Sequence, residues 1–407
     1  MKKAVRIMPF VLVISAVLWI AVFSWKNLRG IWPAVRGPAG DIARLIRAAQ
    51  TDTAVGTKGP LFLAKGFSIS IFAKGLGDPR VMSLAPNNTL LVSVPSQGRV
   101  VALPDRDADG AADKTVTIAE GLNRPHGLAF GGSHGSMLYI AEIDRVVMYS
   151  YDEKKMKASK VKEIAELPGG RGHITRTLLF LPGPDEGKLL ISVGSSCNVC
   201  IEEDRRRAKI LVVPAMGGGL KTFASGLRNA VFMTIHPKTK KVWATEMGRD
   251  YLGDDLPPDE INIIEPGRNY GWPFCYGKNV HDANFDPAGT HSCREPETVP
   301  AYIDIPAHSA PLGIAFFPEE GWPPEFRDNF LVALHGSWNR SVPTGYKIVR
   351  YRPDGSGGYT SEDFASGWLR EDGTALGRPV DILITPGRKI FVSDDKVGVI
   401  YLIRSRN

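Results

Sequence analysis

The sequence predicts an all-β chain wound as a six-bladed β-propeller behind an N-terminal hydrophobic signal or anchor helix, and three observations predict it. A phrase built of a short apolar stretch, a turn rich in Pro, Gly or Asn, and a strongly β-type run recurs six times. The 43 Gly and 30 Pro are scattered rather than clustered, which suits many short strands. After residue 60 no long amphipathic helical pattern interrupts the strands, which argues against an α/β fold.

The copies begin near Arg80 (RVMSLAPNNTLLVSV), Pro125 (PHGLAF), Thr175 (TRTLLFLPGPDEGKLLISVG), Arg228 (RNAVFMTIHPKTKKVWATEMG), Pro311 (PLGIAFFP) and Arg378 (RPVDILITPGRKIFVSDD). The first four are spaced by about fifty residues, the period of a blade. The longer gaps hold insertions around residues 251–258 and 276–300. One phrase alone cannot bury both faces of its strands, whereas radially stacked blades cover one another. A β-sandwich would need no fixed period.

Composition bounds the function. Of 407 residues, 43% are hydrophobic and 23% charged, so the chain is globular rather than disordered. The net charge of +7 lies wholly in residues 1–48, which hold eight basic residues and one acidic. The balanced remainder excludes a nucleic-acid groove on the folded body. The surplus flanks residues 8–25, eighteen residues without a formal charge, and there it meets anionic lipid headgroups. Lys2, Lys3 and Arg6 form a basic leader, and Val22-Phe23-Ser24 is only a weak cleavage site, so an uncleaved signal anchor is favoured over a cleaved signal. Residues 1–25 are thus the anchor or signal peptide, 26–60 a tether with a short helix near 42–50, and 61–407 the propeller.

The four cysteines all follow the hydrophobic run, which suits a periplasmic or otherwise extracytoplasmic domain held to the inner membrane. Four cysteines allow three pairings; the expected one is Cys197–Cys200 and Cys275–Cys293. Ile201 rather than His follows Cys200, which excludes c-type haem attachment, and the absence of a second C-x-x-C weighs against zinc.

Polar residues gather where each phrase begins, at the expected channel-lining strand: Arg80, His126, His173 with Arg176, Arg228 with Asn229, His308, and Arg378 with Asp381. His335 follows the β-run of the fifth phrase. Any one of them could be a structural residue satisfied by carbonyls and water. As a set at corresponding positions they predict a site for a small ligand carrying several carboxylates or phosphates, because a ring of cations is costly without an anion and arginine binds carboxylate bidentately.

Gly226-Leu227-Arg228-Asn229-Ala230, Trp243-Ala244-Thr245-Glu246-Met247-Gly248, Asp259-Glu260-Ile261-Asn262 and Glu265-Pro266-Gly267-Arg268-Asn269-Tyr270-Gly271-Trp272-Pro273 form one long stretch. It resembles the signature of the soluble PQQ-dependent glucose and aldose sugar dehydrogenases and of the sorbosone dehydrogenase group. Weaker similarity runs over about residues 60–407. The resemblance implies a six-bladed propeller that binds pyrroloquinoline quinone (PQQ), a tricarboxylate, together with Ca²⁺. It implies cofactor contacts at Arg228, Asn229 and Arg378, with Asp259 supporting the loop whose Gly248 and Arg249 carbonyls would ligate Ca²⁺. It places the catalytic base at His173, which would take the substrate's hydroxyl proton as hydride leaves for the quinone; the bland alternative is a turn histidine. The pattern also departs from the family: a lysine falls at His335, a threonine near His308, and glutamine contacts at Ser196 and Met247.

Asp105, Asp107, Asp109 and Asp113 resemble the start of a Ca²⁺ loop, but Val116 stands where the bidentate Glu belongs, so a second Ca²⁺ competes with a solvated Asp turn. The expected function is oxidation of an aldose- or sorbosone-like sugar, with electrons leaving to a quinone or cytochrome. The alternative is a non-catalytic propeller that binds a ligand or partner protein at its mouth. A metal-dependent hydrolase would need an acidic channel rather than one rich in Arg and His.

Overall fold

The computed structural model describes residues 4–51, 60–131 and 137–405, with side chains described from residue 12 to residue 47 in the first segment. Six antiparallel sheets follow one another along the chain as the blades of a propeller. Blade 1 is Met82–Leu84, Leu90–Val94, Arg99–Leu103 and Val116–Ala119. Blade 2 is Leu128–Gly131, Met137–Ala141, Arg145–Asp152 and Lys157–Glu166. Blade 3 is Leu178–Phe180, Lys188–Val193, Lys209–Pro214 and Lys221–Ser225. Blade 4 is Ala230–Ile235, Val242–Glu246, Asp259–Ile264 and Ile303–Ile305. Blade 5 is Pro311–Phe316, Phe330–Leu334, Lys347–Pro353 and Tyr359–Ser366, edged by Phe62–Leu63. Blade 6 is Pro379–Ile384, Lys389–Asp394 and Val399–Ser405, completed by the early strand Phe67–Ala73.

That last pairing closes the ring. Phe67 lies opposite Ser405 and Ile71 opposite Tyr401, so the two ends of the propeller share one sheet. The second strand of a blade is covered on both faces, which is why LLVSV and FLVAL read as unbroken apolar runs and are buried throughout. The outer strand Lys157–Glu166 is instead mostly exposed and carries Lys157, Lys160 and Lys162.

Hydroxyls tie several blades to their neighbours near the axis. Thr245 donates to Leu312 O in the next blade (2.7 Å) while accepting Phe232 N–H (3.3 Å). Ser393 donates to Arg80 O across the closing seam (2.7 Å) and accepts Asp381 N–H (3.0 Å). The N–H groups so held sit where the inner strands of blades 4 and 6 shift register near their starts. Close approach at the axis requires glycine: a Cβ on Gly313 would lie 2.7 Å from Val380 O. Between blades 4 and 5, the Trp243 ring packs edge-on against Tyr302, Phe316, Phe330 and Tyr359, with centroids 5.0–5.8 Å apart.

Among the described residues three helices precede the propeller: Ala4–Asn27, the short turn Trp32–Val35, and Ile42–Thr51. Among the described residues no helix is long and apolar enough to cross a membrane. The side chains of residues 8–11, part of the hydrophobic run, lie outside the described residues. The expected tether is packed rather than free: Ile42 and Ile46 are buried in the same core as Phe67 and Tyr401. Both disulfides are present as paired in the sequence reading, Cys197–Cys200 and Cys275–Cys293.

Candidate active site at the channel mouth

Strand register brings the singled-out residues to one end of the propeller. The start of each inner strand pairs with the end of the second, as in Ala230 with Glu246, Pro311 with Leu334 and Pro379 with Asp394. Residues just before the first strand and just after the second therefore meet at the same mouth. Backbone bonds fix this: Ser195 N–H to Arg228 O (2.8 Å), Met247 N–H to Asn229 O (3.3 Å), and His335 N–H to Ala310 O (3.0 Å).

His173 is held by its backbone and by its ring. Its N–H bonds Ser195 O, and Nδ1 lies 3.1 Å from the same carbonyl and 3.0 Å from Ser195 Oγ. A carbonyl only accepts, and the Ser195 hydroxyl already donates to Cys197 O (2.6 Å), so Nδ1 carries the hydrogen. Nε2 keeps its lone pair and has no hydrogen-bond partner among the described residues. Burial, reinforced by Arg228, pushes the imidazole pKa down to about 3, against the opposing Ser195 bond, so the ring is neutral at physiological pH. Gly194 makes room beside it: a Cβ there would lie 2.6 Å from both His173 Cβ and Asn229 Oδ1.

Arg228 is buried and its donors are engaged. Nε donates to Asn198 O (2.9 Å), Nη1 to Gly248 O (2.8 Å), and Nη2 to Asn198 Oδ1 (3.0 Å) and Asp250 Oδ2 (3.2 Å). Asn198, between the two bridged cysteines, also accepts Asp250 N–H (2.8 Å) and donates to Asp250 O (3.1 Å). Asn339 of blade 5 donates to Asp250 Oδ1 (2.8 Å), and His308 gives its Nε2 hydrogen to Gly253 O (2.7 Å). Asp259 accepts Gly248 N–H and Ala310 N–H, both at 2.9 Å, and so joins the Gly248 loop to blade 5. Arg249 turns to Asp282 of the insertion closed by Cys275–Cys293 (2.7 Å), which draws that insertion to the mouth.

The far side is a second cluster. Asp395 bridges Arg80 (2.7 Å) and His335 Nε2 (2.9 Å). Burial would raise the Asp395 pKa, but His335 and Arg80 outweigh it and hold the carboxyl below its usual range. Burial, with Arg378, pushes His335 down to about 4, so a neutral ring donates to an ionised carboxylate. Arg378 donates to His335 O (3.0 Å) and Gly336 O (2.6 Å) and lies over the Tyr346 ring. Between the clusters His126 is fully buried, and neither ring nitrogen has a partner among the described residues.

Two cations near this mouth are structural. Arg176 donates to the carbonyls of Ile143, Thr175 and Pro168, and Arg207 to those of Gly194 and Pro168. Sequence reading did not single out Asn198, Asp250, Asn339 or Asp395. Asp395 could have been found, because it follows the sixth β-run as His335 follows the fifth. The predicted Asp loop lies elsewhere: Asp105, Asp107 and Asp109 place carboxylate oxygens within 4.8 Å of one another, while Asp113 accepts Arg106 N–H (3.2 Å). That loop follows the third strand of blade 1, at the end opposite the mouth, beside a cavity of about 630 Å³.

The mouth fits a polyanionic cofactor and a hard cation in different ways. Asn229 Oδ1 and both His126 nitrogens are buried polar atoms lacking partners among the described residues; the charges of Arg80 and Arg176 reach His126, and Arg228 adjoins Asn229 in the chain. Near Gly248, Glu246, Asp250, Asp259 and Glu260 all have carboxyl pKa values raised by burial, Asp259 and Glu260 to about 7. Burial thus disfavours ionisation of that set, and the Gly248 carbonyl has a second lone pair beyond the one given to Arg228.

Residues 61–406 match the model of the TrAA12-like family. The chain belongs to that family. The resemblance to the PQQ-dependent sugar dehydrogenases therefore holds at the level of family and fold. An uncharacterised protein of Borreliella burgdorferi is 29% identical over 84% of this chain and 90% of its own length. A pyrroloquinoline quinone-dependent pyranose dehydrogenase of Coprinopsis cinerea is 24% identical over 84% of this chain, which spans only 54% of that relative. The holo form of the pyranose dehydrogenase PQQ domain from that organism superposes with a TM-score of 0.71 at 21% identity, over 87% of this chain and 99% of the other. A calcium structure of the Trichoderma reesei AA12 enzyme gives 0.71 at 22%, over 87% and 99%.

Proposed function

We propose that this TrAA12-like chain is a PQQ- and Ca²⁺-dependent oxidoreductase that oxidises a sugar of the aldose or sorbosone type at the propeller mouth. The observation that carries the reading is the tautomer of His173: Nδ1–H is locked onto Ser195, leaving a neutral, unpartnered Nε2 beside Arg228 and Asn229. The similarity to the pyrroloquinoline quinone-dependent pyranose dehydrogenase and to its holo structure supports the cofactor, and that to the calcium structure supports the ion.

PQQ, when bound, supplies the quinone that accepts hydride. Arg378, with N–H groups beyond those given to His335 O and Gly336 O, would hold a carboxylate, Asn229 would offer its side-chain amide, and Arg228 and His335, whose N–H groups are already taken, would line the site, Arg228 adding its positive charge. Gly248 and Arg249 would offer backbone carbonyls to Ca²⁺, with Asp259 bracing their loop. His173 Nε2 takes the proton of the substrate hydroxyl, and Ser195 fixes the ring while the imidazolium forms. Burial makes that charge unfavourable, which weakens the ring as a base and favours release of the proton to water at the mouth once the carbonyl product has formed. His308 acts by holding the 250–255 loop in place.

The partners in this reading are a small sugar and an external acceptor, quinone or cytochrome. The two disulfides support an extracytoplasmic, periplasmic site, with the N-terminal segment at the inner membrane. The test is His173→Ala. PQQ binding should persist while turnover falls by about 10²–10⁴-fold in a dye-linked assay over a panel of sugars. Undiminished turnover would overturn the assignment.

A further inference from the structure

We infer that the channel mouth faces a lipid surface, with residues 23–39 and the rim of blades 4 and 5 lying together in the headgroup layer of an anionic bilayer. This rests on the reading that the N-terminal segment engages a membrane, and adds which way the propeller is turned.

The segment is fastened to the mouth. The Phe23 ring packs on Tyr251 (5.4 Å), and Tyr251 packs on Trp338 (5.8 Å). Gly30 fits where any side chain would strike the carbonyls of Arg340 and Ser341. Further on, Ala39 N–H bonds Ala375 O (2.9 Å) and Lys396 Nζ bonds Arg36 O. Tyr251, Arg340, Ala375 and Lys396 all belong to loops at the mouth end of blades 4, 5 and 6. Whatever surface this segment binds, the mouth must face it.

The exposed groups say which surface. Trp25, Trp32 and Val35 are 68%, 53% and 59% exposed, and on the rim Val342 and Leu256 are 69% and 46% exposed. Side chains of this size left in water on one face mark a docking surface. Basic residues interleave with them: Arg29 lies over the Trp25 ring at 5.1 Å and Arg36 over Trp32 at 4.6 Å. An indole with a guanidinium at the same level suits the layer where acyl chains meet phosphates. The whole charge surplus lies in residues 1–48, which favours anionic lipid and opposes a second copy docking through the same cationic face. One consequence is that sugar enters edgewise between rim and headgroups, and an acceptor dissolved in the bilayer lies within reach of the mouth.

All four native cysteines are in disulfides, so an introduced cysteine can be labelled alone. An environment-sensitive fluorophore goes on Val342→Cys at the mouth or on Met216→Cys, 63% exposed in a turn at the far end of blade 3. Full-length protein is mixed with phosphatidylglycerol vesicles carrying brominated acyl chains, and co-flotation is read beside emission. The expected result is flotation, with a blue shift and loss of emission at residue 342 and none at 216. Flotation with quenching at 216, at both or at neither leaves membrane binding standing and overturns the orientation. Absence of flotation overturns the membrane reading and the inference with it. A blue shift at 342 without vesicles, with a dimer by light scattering, would overturn it in favour of a second copy.

Discussion

Replacing Asn198 by alanine tests the mouth where one side chain serves several partners. Three hydrogen bonds are lost: Oδ1 to Arg228 Nη2 (3.0 Å), Oδ1 to Asp250 N–H (2.8 Å), and Nδ2–H to Asp250 O (3.1 Å). The backbone carbonyl of residue 198 still accepts Arg228 Nε, and the Cys197–Cys200 bridge still closes the loop. Neutral bonds contribute about 0.5–1.5 kcal/mol each and a bond to a charged group about 1.5–3 kcal/mol. Water entering at the mouth offsets part of this, leaving a loss of about 2–4 kcal/mol of stability. Arg228 and the Gly248–Asp250 loop lose their common brace, so PQQ affinity should fall along with stability. Urea unfolding gives the first quantity and a calorimetric PQQ titration with Ca²⁺ gives the second. If both match the wild type, Asn198 does not order the site and the network has been misread.

Other outcomes follow from the same geometry. Asp381 accepts Met82 N–H (2.7 Å) across the closing seam, and burial raises its folded pKa to about 7 from 3.8. A raised carboxyl pKa gives stability that is complete below the unfolded value and lost as pH climbs through about 7, so Asp381→Asn should flatten that decline by up to about 4 kcal/mol; an unchanged slope of unfolding midpoint against pH would contradict it. Trp243→Ala opens a hole among four aromatic rings between blades 4 and 5 and should cost about 3–5 kcal/mol, read as a lowered thermal midpoint; an unshifted midpoint would mean those blades do not depend on that contact. Removing the second bridge by Cys275→Ser with Cys293→Ser should cost about 3 kcal/mol and loosen the Arg249–Asp282 contact, checked by proteolysis of the 276–292 loop; equal cleavage rates would show the loop is held by other means.

Much of this was legible before the fold was seen. The six phrases starting at Arg80, Pro125, Thr175, Arg228, Pro311 and Arg378 became six blades, because a buried second strand must read as an apolar run. The mouth was legible too, since residues flanking those runs share one end by register alone. What each arginine does there was not legible. Arg176 and Arg228 occupy similar places in their phrases, yet Arg176 donates to carbonyls while Arg228 also meets a carboxylate. That difference depends on long-range partners such as Asn198 and Asp250, which no local pattern reveals. Asn198 sat inside C-x-x-C, where attention went to the cysteines. The packing of Phe23 and Gly30 on the mouth was equally hidden, because a hydrophobic run does not specify which loops it meets.

Calorimetric titration of the purified chain with PQQ in the presence of Ca²⁺ tests the central claim most directly. The account predicts one site per chain, weakened at least about tenfold when Arg378 is changed to Met, as expected for losing a charge-assisted bond of about 1.5–3 kcal/mol, and likewise when Arg228 is changed to Met, which removes a positive charge and the brace of the Gly248–Asp250 loop. No binding to the wild type, or equal binding by the wild type and both variants, would contradict it.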